Sequence, residues 1–377
     1  MNLGLYIHIP FCSQKCFYCD FPSYSGLDYL YSDYIAALSR EISDRGGLLS
    51  DYTVDTVFIG GGTPTILPAG LLENLMENLQ KNFNISSNAE ISIEANPGTV
   101  EESKLKLLRS AGVNRISFGV QSFSNDLLKA IGRIHTAEDA IQSVNLAHRC
   151  GFNNINIDLM YGLPNQSLEH LKSSLLKAYD LEIQHLSVYG LKIEEGTLFA
   201  DSSEKGLLKL PEDSLEDQMY EFVIKENIRH GYDRYEISNF AKCGYECQHN
   251  LKYWNFEPYV GLGSAAHSFI NNTRQANIRD VRQYIYSLES GEFPLESEER
   301  LDDNTAIEEF AFLSLRTVKG LSLEKFSAKF NLDFFEIYKN IINRLEKKRV
   351  ILIEEGYVRL TPLGMKYGNQ VFSEFLR

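Results

Sequence analysis

The chain has 377 residues, of which 44% are hydrophobic and 23% are charged, as in ordinary folded globular proteins. Its net charge of −14 makes nucleic acid an unfavourable partner, because phosphate backbones repel an acidic protein. No apolar run approaches the roughly 18 residues of a membrane span, and the N-terminal sequence lacks the basic and apolar segments of a signal peptide. We therefore expect a cytoplasmic protein with no integral membrane segment.

The first two-thirds of the chain predicts an alternation of strands and helices. Runs typical of strands lie at residues 5–9, 56–59, 90–94, 115–120, 154–159 and 185–191. Helical periodicity lies between them, and Thr136 with Asp139 three residues later forms a capping box. Separations of roughly 25–50 residues leave room for one helix in each crossover. This alternation predicts an α/β fold with a parallel sheet.

The predicted strands run into polar or glycine-rich segments. Four of these segments are Gly60-Gly61-Gly62-Thr63-Pro64, Glu94-Ala95-Asn96-Pro97, Gln121-Ser122 and Asp158. Ligands bind at the carboxyl ends of strands both in β/α barrels and in open doubly wound sheets. An open sheet would have its polar residues at a single crevice, whereas here polar residues follow nearly every strand. We therefore predict a partial (β/α)6 barrel of the TIM type.

The last part of the chain has a different pattern. The acidic stretch 289–303 predicts a linker, and residues 306–316, 323–330 and 334–347 predict helices followed by a hairpin at 350–360. We therefore predict a barrel core at 1–235, an extension with an acidic linker at 236–300, and a small winged-helix-like α+β domain at 301–377. Winged-helix domains commonly bind DNA, but the acidic charge argues against a nucleic-acid partner here.

Three of the six cysteines lie within eight residues. Cys12, Cys16 and Cys19 form a CxxxCxxC motif directly after the first predicted strand. Such a loop can hold three irons of a [4Fe–4S] cubane and leave the fourth iron open to a small chelating molecule. A zinc site with His8 as the fourth ligand and three incidental thiols are the alternatives.

This motif resembles the signature of radical S-adenosylmethionine (radical SAM) enzymes, including the aromatic Tyr18 before the third cysteine. The segment holding Gly61, Gly62 and Thr63 resembles the glycine-rich element of the same superfamily. The resemblance implies that S-adenosylmethionine binds the open iron through its amino and carboxylate groups. It also implies reductive cleavage of the sulfonium to a 5′-deoxyadenosyl radical.

Further segments resemble the oxygen-independent coproporphyrinogen III oxidase family. These segments are YIHIPFC at 6–12, IEANPG at 93–98, FGVQSF at 118–123, GR at 132–133 and NIDLMYGLP at 156–164. The resemblance implies that S-adenosylmethionine is lined by Tyr6, Gly61, Thr63, Glu94, Gln121, Arg133 and Asp158. The carboxylates can accept hydrogen bonds from amino or ribose groups, and an arginine can pair with a carboxylate. Strand-end caps or salt bridges inside the barrel are the structural alternatives for each.

Two features separate the chain from the oxidase itself. The cluster motif begins at residue 12, without a long preceding segment, and no further cysteine lies two residues after Cys19. The segment His249-Asn250-Leu251-Lys252-Tyr253-Trp254 instead resembles the HNxxYW motif of HemW-type heme chaperones. The resemblance implies binding of heme and its transfer to an acceptor hemoprotein. Radical decarboxylation of coproporphyrinogen III is the alternative, because both groups share the cluster motif.

The residues of this motif have their own chemistry. A ring nitrogen of His249 can ligate heme iron, and Tyr253 and Trp254 can pack against a porphyrin face. A structural histidine under an aromatic cluster is the alternative. Cys243 and Cys247 could add a heme or zinc ligand with His249, but we interpret them as incidental.

Overall fold

The computed structural model describes residues 1–376, and in this part of the chain six parallel strands form the centre of the protein. Each strand pairs in parallel with the next one along the chain. The strands are β1 Asn2–Ile9, β2 Thr53–Gly61, β3 Ile85–Ala95, β4 Arg115–Gln121, β5 Ile155–Tyr161 and β6 His185–Gly190. The six strands predicted from the sequence are therefore confirmed, and with them the partial (β/α)6 arrangement.

Helices follow these strands and cover the outside of the sheet. They are α1 Tyr31–Leu48, α2 Ala69–Asn82, α3 Glu102–Ser110, α4 Asn125–Ala130, α5 Ala137–Arg149, α6 Leu168–Asp180, α7 Leu198–Glu204 and α8 Asp213–Arg229. Helix α2 shows why they form, since Leu72, Leu75, Met76 and Leu79 share one face and are buried. The capping box predicted at Thr136 is present at the start of α5.

The two faces of the central strands have different characters. In β1 the odd-numbered residues from Leu3 to Ile9 are fully buried in the main hydrophobic core, which the helices share. Tyr6 and His8 alternate with them and therefore face the barrel interior. This alternation lines the interior with polar groups, since Ser92, Arg115 and His185 are also buried strand residues.

The barrel does not close, because further strands extend both edges of the sheet. Strand β1 also pairs in parallel with β9, and β6 pairs antiparallel with β8. The additional elements are β7 Asp233–Arg234, β8 Asn239–Ala241, α9 Gln248–Trp254, β9 Tyr259–Leu262, β10 His267–Ile270, β11 Thr273–Asn277, α10 Val281–Glu289 and β12 Leu295–Arg300.

The prediction of an acidic linker at 289–303 is wrong in its central part. Residues Leu295–Arg300 form β12, which pairs antiparallel with β11 at the outer edge of the sheet. All six of its residues are exposed. Charged side chains are typical of an edge strand, where they discourage pairing with another molecule, and the sequence pattern of such a strand resembles that of a linker.

The C-terminal part is a helical unit with a three-stranded sheet, as the winged-helix-like prediction requires. Its elements are α11 Asp303–Ser314, β13 Leu321–Ser322, α12 Leu323–Phe330, α13 Phe334–Lys347, β14 Ile351–Glu354, β15 Tyr357–Leu360, α14 Pro362–Lys366 and α15 Gly368–Phe372. Its core includes Phe310, Phe326 and Phe334, together with Phe256 and Phe269 of the preceding extension. The C-terminal unit and these residues of the extension therefore share one hydrophobic core. Among residues 1–376, no helix combines the length and apolar character that crossing a bilayer requires.

Candidate functional site

The three cysteines of the CxxxCxxC motif lie on one loop after β1, and each is partly exposed. The loop is held at two points, because the Cys12 amide donates to the Tyr24 carbonyl at 2.9 Å and the Phe17 amide donates to the Ile131 carbonyl at 3.1 Å. Burial raises the pKa of the Cys12 and Cys19 thiols. Positive charge from bound iron would oppose this effect and favour thiolates.

The glycine-rich segment at the end of β2 lies directly against this loop. The Gly62 amide donates to the Ile9 carbonyl at 2.8 Å, and a Cβ at position 62 would lie 2.5 Å from the Phe11 carbonyl oxygen. Gly61 has a φ of 110° in the left-handed region, and a Cβ there would lie 2.4 Å from the His8 ring. Only glycine allows this approach of backbone to the neighbouring strand.

Arg133 connects the cysteine loop to the strand ends. One of its nitrogens donates to Cys16 Sγ at 3.3 Å, and another donates to Asn96 Oδ1 at 2.6 Å and to the Gly119 carbonyl. Asn96 in turn donates to Thr63 Oγ1 at 2.7 Å. Arg133 Nε is buried and has no hydrogen-bond partner among the described residues. The guanidinium thus places positive charge beside the cysteine loop and keeps a donor available.

Two carboxylates face the barrel interior near the same ends. Glu94 Oε2 accepts from the Gly61 amide at 3.0 Å, and burial together with Asp158 raises the pKa of Glu94 to about 7. Asp158 Oδ1 accepts from Asn156 Nδ2 at 2.7 Å, and burial raises the pKa of this carboxyl as well. Two acids with raised pKa values in one cleft favour a bound cation or hydrogen-bond donor between them.

Gln121 and Tyr18 complete the set predicted near the cluster loop. Gln121 ends β4 with a φ of 67°, which is unusual for a residue with a side chain and is typical of functional sites. Tyr18 packs on the small apolar cluster of Leu127, Ile131 and Phe199. Its ring centre lies 6.5 Å from that of Phe199, and burial raises its pKa.

Within residues 1–376, no three His, Cys, Asp or Glu side chains are gathered as the ligands of a single metal ion. The zinc alternative with His8 has a specific obstacle, because both ring nitrogens of His8 are hydrogen bonded. Nδ1 lies 3.0 Å from the Tyr6 hydroxyl, and Nε2 lies 2.9 Å from the Pro22 carbonyl. A cubane places different demands on the loop, since each cysteine binds a separate iron.

A cavity of about 480 Å³ opens beside this region, between the barrel edge and α11. This volume lies within the ~300–1,000 Å³ range of cofactor and ligand pockets. Its lining includes three predicted S-adenosylmethionine residues, Tyr6, Gly61 and Glu94, and the aromatic Tyr253 and Trp254 of α9. Phe21, which is 62% exposed, also borders it. Some residues of both predicted sites therefore line the same cavity.

His249 does not line this cavity with its neighbours Tyr253 and Trp254. Its side chain is fully buried under the barrel, with Nδ1 2.9 Å from Thr56 Oγ1 and Nε2 2.8 Å from the Tyr253 hydroxyl. Its ring stacks on Phe58 with 5.4 Å between centres. Burial, together with nearby Lys252, lowers the pKa of His249 to about 3, so the imidazole is neutral.

Glu90 of β3 holds the start of α9. Its carboxylate accepts from the amides of Gln248 and His249, each at 3.2 Å, and from Cys247 Sγ at 3.5 Å. A carboxylate satisfies the free amides at a helix N-terminus and complements the helix dipole. Burial raises the pKa of Cys247 to about 12. This environment favours a structural thiol over a metal-binding thiolate.

Comparisons with known protein families match two segments of the chain. The radical SAM superfamily profile matches residues 6–178, and the HemN C-terminal domain profile matches residues 301–367. Heme chaperone HemW of Bacillus subtilis (strain 168) is 41% identical over 372 residues, which cover 98% of each chain. Heme chaperone HemW of Lactococcus lactis subsp. lactis (strain IL1403) is 37% identical over 98% of this chain and 96% of its own. The chain belongs to the HemW family, within the radical SAM superfamily.

A solved structure supports the same family assignment at the level of the fold. Coproporphyrinogen III oxidase (HemN) from Escherichia coli, a radical SAM enzyme, superimposes with a TM-score of 0.88 at 27% identity. The match covers 100% of this chain and 90% of that chain. The family fold therefore includes the extension and the C-terminal unit as well as the barrel.

Sequence reasoning missed several residues that the structure of this family member places at the site. Asn96 bridges Thr63 and Arg133, and Arg274 and His267 line the cavity. Asn96 lies in the IEANPG segment that already carried the resemblance, so its polar side chain at a strand end was an available signal. His267 and Arg274 lie on β10 and β11 of the extension, strands whose position against the barrel only the folded structure shows.

Proposed function

We propose that this protein is a heme chaperone that binds heme in the cavity beside β1 and passes it to acceptor hemoproteins. The observation that carries the proposal is the cavity itself, which Tyr253 and Trp254 of the HNxxYW segment line with aromatic surface. The HemW relatives are named heme chaperones, and they match nearly the whole chain. We place this activity in the cytoplasm.

We further propose that Cys12, Cys16 and Cys19 hold a [4Fe–4S] cluster whose open iron binds S-adenosylmethionine. The residues present fit these groups, because three partly exposed thiols lie on one loop and one of them, Cys16, accepts from the Arg133 guanidinium, which has an unpaired buried donor. When bound, the cluster would supply an electron to the sulfonium. Glu94 can accept a hydrogen bond from the ligand, and the close backbone at Gly62 shapes the wall behind the loop.

Heme binding and transfer can be measured on the full-length protein reconstituted anaerobically with iron and sulfide. Hemin titration should give a saturable change in the Soret band, and addition of an excess of apomyoglobin should move the heme to that acceptor. Variant Trp254→Ala should bind hemin more weakly because it removes aromatic lining from the cavity. The proposal fails if the wild-type protein gives no saturable change in the Soret band with hemin and transfers no heme to apomyoglobin.

The structural likeness to HemN favours one second candidate, radical decarboxylation of coproporphyrinogen III. The same reconstituted protein, supplied with S-adenosylmethionine and a reductant, should leave coproporphyrinogen III unchanged if it is a chaperone. Formation of protoporphyrinogen IX, detected by chromatography, would overturn the chaperone proposal in favour of the enzyme. Iron and sulfide analysis of the same sample tests the cluster against zinc.

A further inference from the structure

Because His249 does not line the cavity, another residue must supply the protein ligand to the iron of a heme bound there. A neutral imidazole has one donor and one acceptor nitrogen, and both nitrogens of His249 already contact hydroxyl groups, those of Thr56 and Tyr253. The ring is fully buried. His249 is therefore placed to orient Tyr253 and not to offer a free nitrogen to the cavity.

Two histidines among the described residues line the cavity, and their surroundings differ. His8 is 3% exposed, and both of its ring nitrogens are hydrogen bonded, to Tyr6 and to Pro22. His267, the first residue of β10, is exposed, and its side chain has no hydrogen-bond or ion-pair partner among residues 1–376. Of the cavity histidines, His267 has both ring nitrogens available to a metal.

The strand pairing places other suitable groups on the same wall as His267. Residue Phe269 lies two positions along β10 and pairs with Arg274 of β11 and with Tyr259 of β9. Residues two apart on a strand, and directly paired residues on neighbouring strands, project from the same face of a sheet. His267, Phe269, Arg274 and Tyr259 therefore form one wall, and all four line the cavity. We call these four residues the β10 wall.

The β10 wall combines an imidazole, apolar surface and a cation. Phe269 packs against Phe256 with 4.5 Å between ring centres, which gives a continuous aromatic surface for a flat ligand. Arg274 donates to Glu309 at 2.6 Å, yet its side chain is 46% exposed. A guanidinium has five N–H donors, so this contact leaves several for a second carboxylate.

We propose that His267 is the protein's axial ligand to heme iron in this cavity and that Arg274 binds a heme propionate. This inference rests on the proposed heme-binding function and deepens it by naming the ligand and the anchoring cation. His249 is then a positioning residue for Tyr253. The chemistry of heme matches the β10 wall in three respects, since it has an iron, an apolar plane and carboxylates at one edge.

The test is spectroscopic and uses the full-length, tag-free protein, because a polyhistidine tag would itself ligate heme. Variant His267→Ala should lose the histidine-ligated ferric spectrum in absorbance and electron paramagnetic resonance, and added imidazole should restore it. Its affinity for hemin should fall at least about tenfold, since losing a residue that only hydrogen-bonds to a metal ligand already costs about that much. Its affinity for metal-free protoporphyrin IX should not change.

Two matched variants serve as controls. His230→Ala replaces another exposed histidine that is remote from the cavity lining, and it should leave every spectrum unchanged. Arg274→Gln should weaken hemin binding about tenfold, because it removes a charge-assisted hydrogen bond, but should leave binding of hemin dimethyl ester unaffected. Equal weakening for the ester would overturn the assignment of Arg274.

These experiments distinguish failure of the proposed heme binding from failure of the ligand assignment. If wild-type protein binds no heme, the proposed function fails and the ligand assignment fails with it. If wild-type protein binds heme and His267→Ala keeps the same spectrum and affinity, only the ligand assignment is overturned. Loss of the spectrum in His249→Ala, with His267→Ala unaffected, would assign the iron to His249 instead.

Discussion

The contact between the glycine-rich segment and the cysteine loop leads to the sharpest prediction, on Gly62→Ala. The new Cβ would lie 2.5 Å from the Phe11 carbonyl oxygen and 2.9 Å from the Ile9 carbonyl oxygen. These are backbone atoms, so no side chain can rotate to relieve the contact. Ordinary Cβ contacts begin near 3.4 Å, so the segments must separate by about 0.9 Å.

That separation stretches two hydrogen bonds beyond their usual length. The Gly62 amide donates to Ile9 at 2.8 Å, and the Thr63 amide donates to Phe11 at 2.7 Å. Overpacking costs about 1–3 kcal/mol, and each weakened hydrogen bond costs about 1 kcal/mol. We therefore expect the free energy of unfolding to fall by roughly 3–5 kcal/mol. Iron incorporated per chain should fall as well, because the wall behind Cys12 moves.

Denaturant unfolding of the apoprotein measures the first effect, and iron and sulfide analysis after anaerobic reconstitution measures the second. Gly70→Ala is the matched control, since Gly70 lies in α2 with open space around its Cβ position. Alanine in a helix should stabilise the protein by up to about 1 kcal/mol. The reasoning is refuted if Gly62→Ala unfolds at the wild-type denaturant concentration and takes up iron normally.

Three further predictions concern charge and helix capping. Burial raises the pKa of Glu94 to about 7. The contribution of this carboxyl group to stability is therefore full below its pKa in the unfolded chain, near 4.5, and is lost as the pH rises through about 7. Glu94→Gln can still accept from the Gly61 amide, and denaturant unfolding should show it to be more stable than wild-type apoprotein at about pH 8 and equal to it at about pH 4. Arg133→Gln removes positive charge beside Cys16, so the reduction potential of the reconstituted cluster should become more negative in a redox titration, and an unchanged potential would contradict the proposed contact. Thr136→Ala removes the capping box of α5 and should lower the unfolding free energy by about 1 kcal/mol, with no change in iron content.

Local sequence patterns determined much of the barrel. The six central strands were predictable because each is a short apolar or β-branched run followed by a helical pattern. The cysteine loop was predictable because CxxxCxxC needs only local spacing. The linker prediction was wrong at residues 295–300 because an exposed edge strand and a linker have the same charged, unpatterned sequence, and only pairing with β11 distinguishes them.

The sequence by itself determined the family, the barrel topology and the segments that meet at the strand ends. Only the tertiary structure decided which histidine faces the cavity. His249 lies within a recognisable motif but is buried with both nitrogens bonded, whereas His267 has no motif and is exposed. The physical reason is that a motif specifies only which residue type is present. Whether a histidine nitrogen is available to a ligand depends on hydrogen-bond partners that are far away in the chain. Thr56, for example, is separated from His249 by 193 positions.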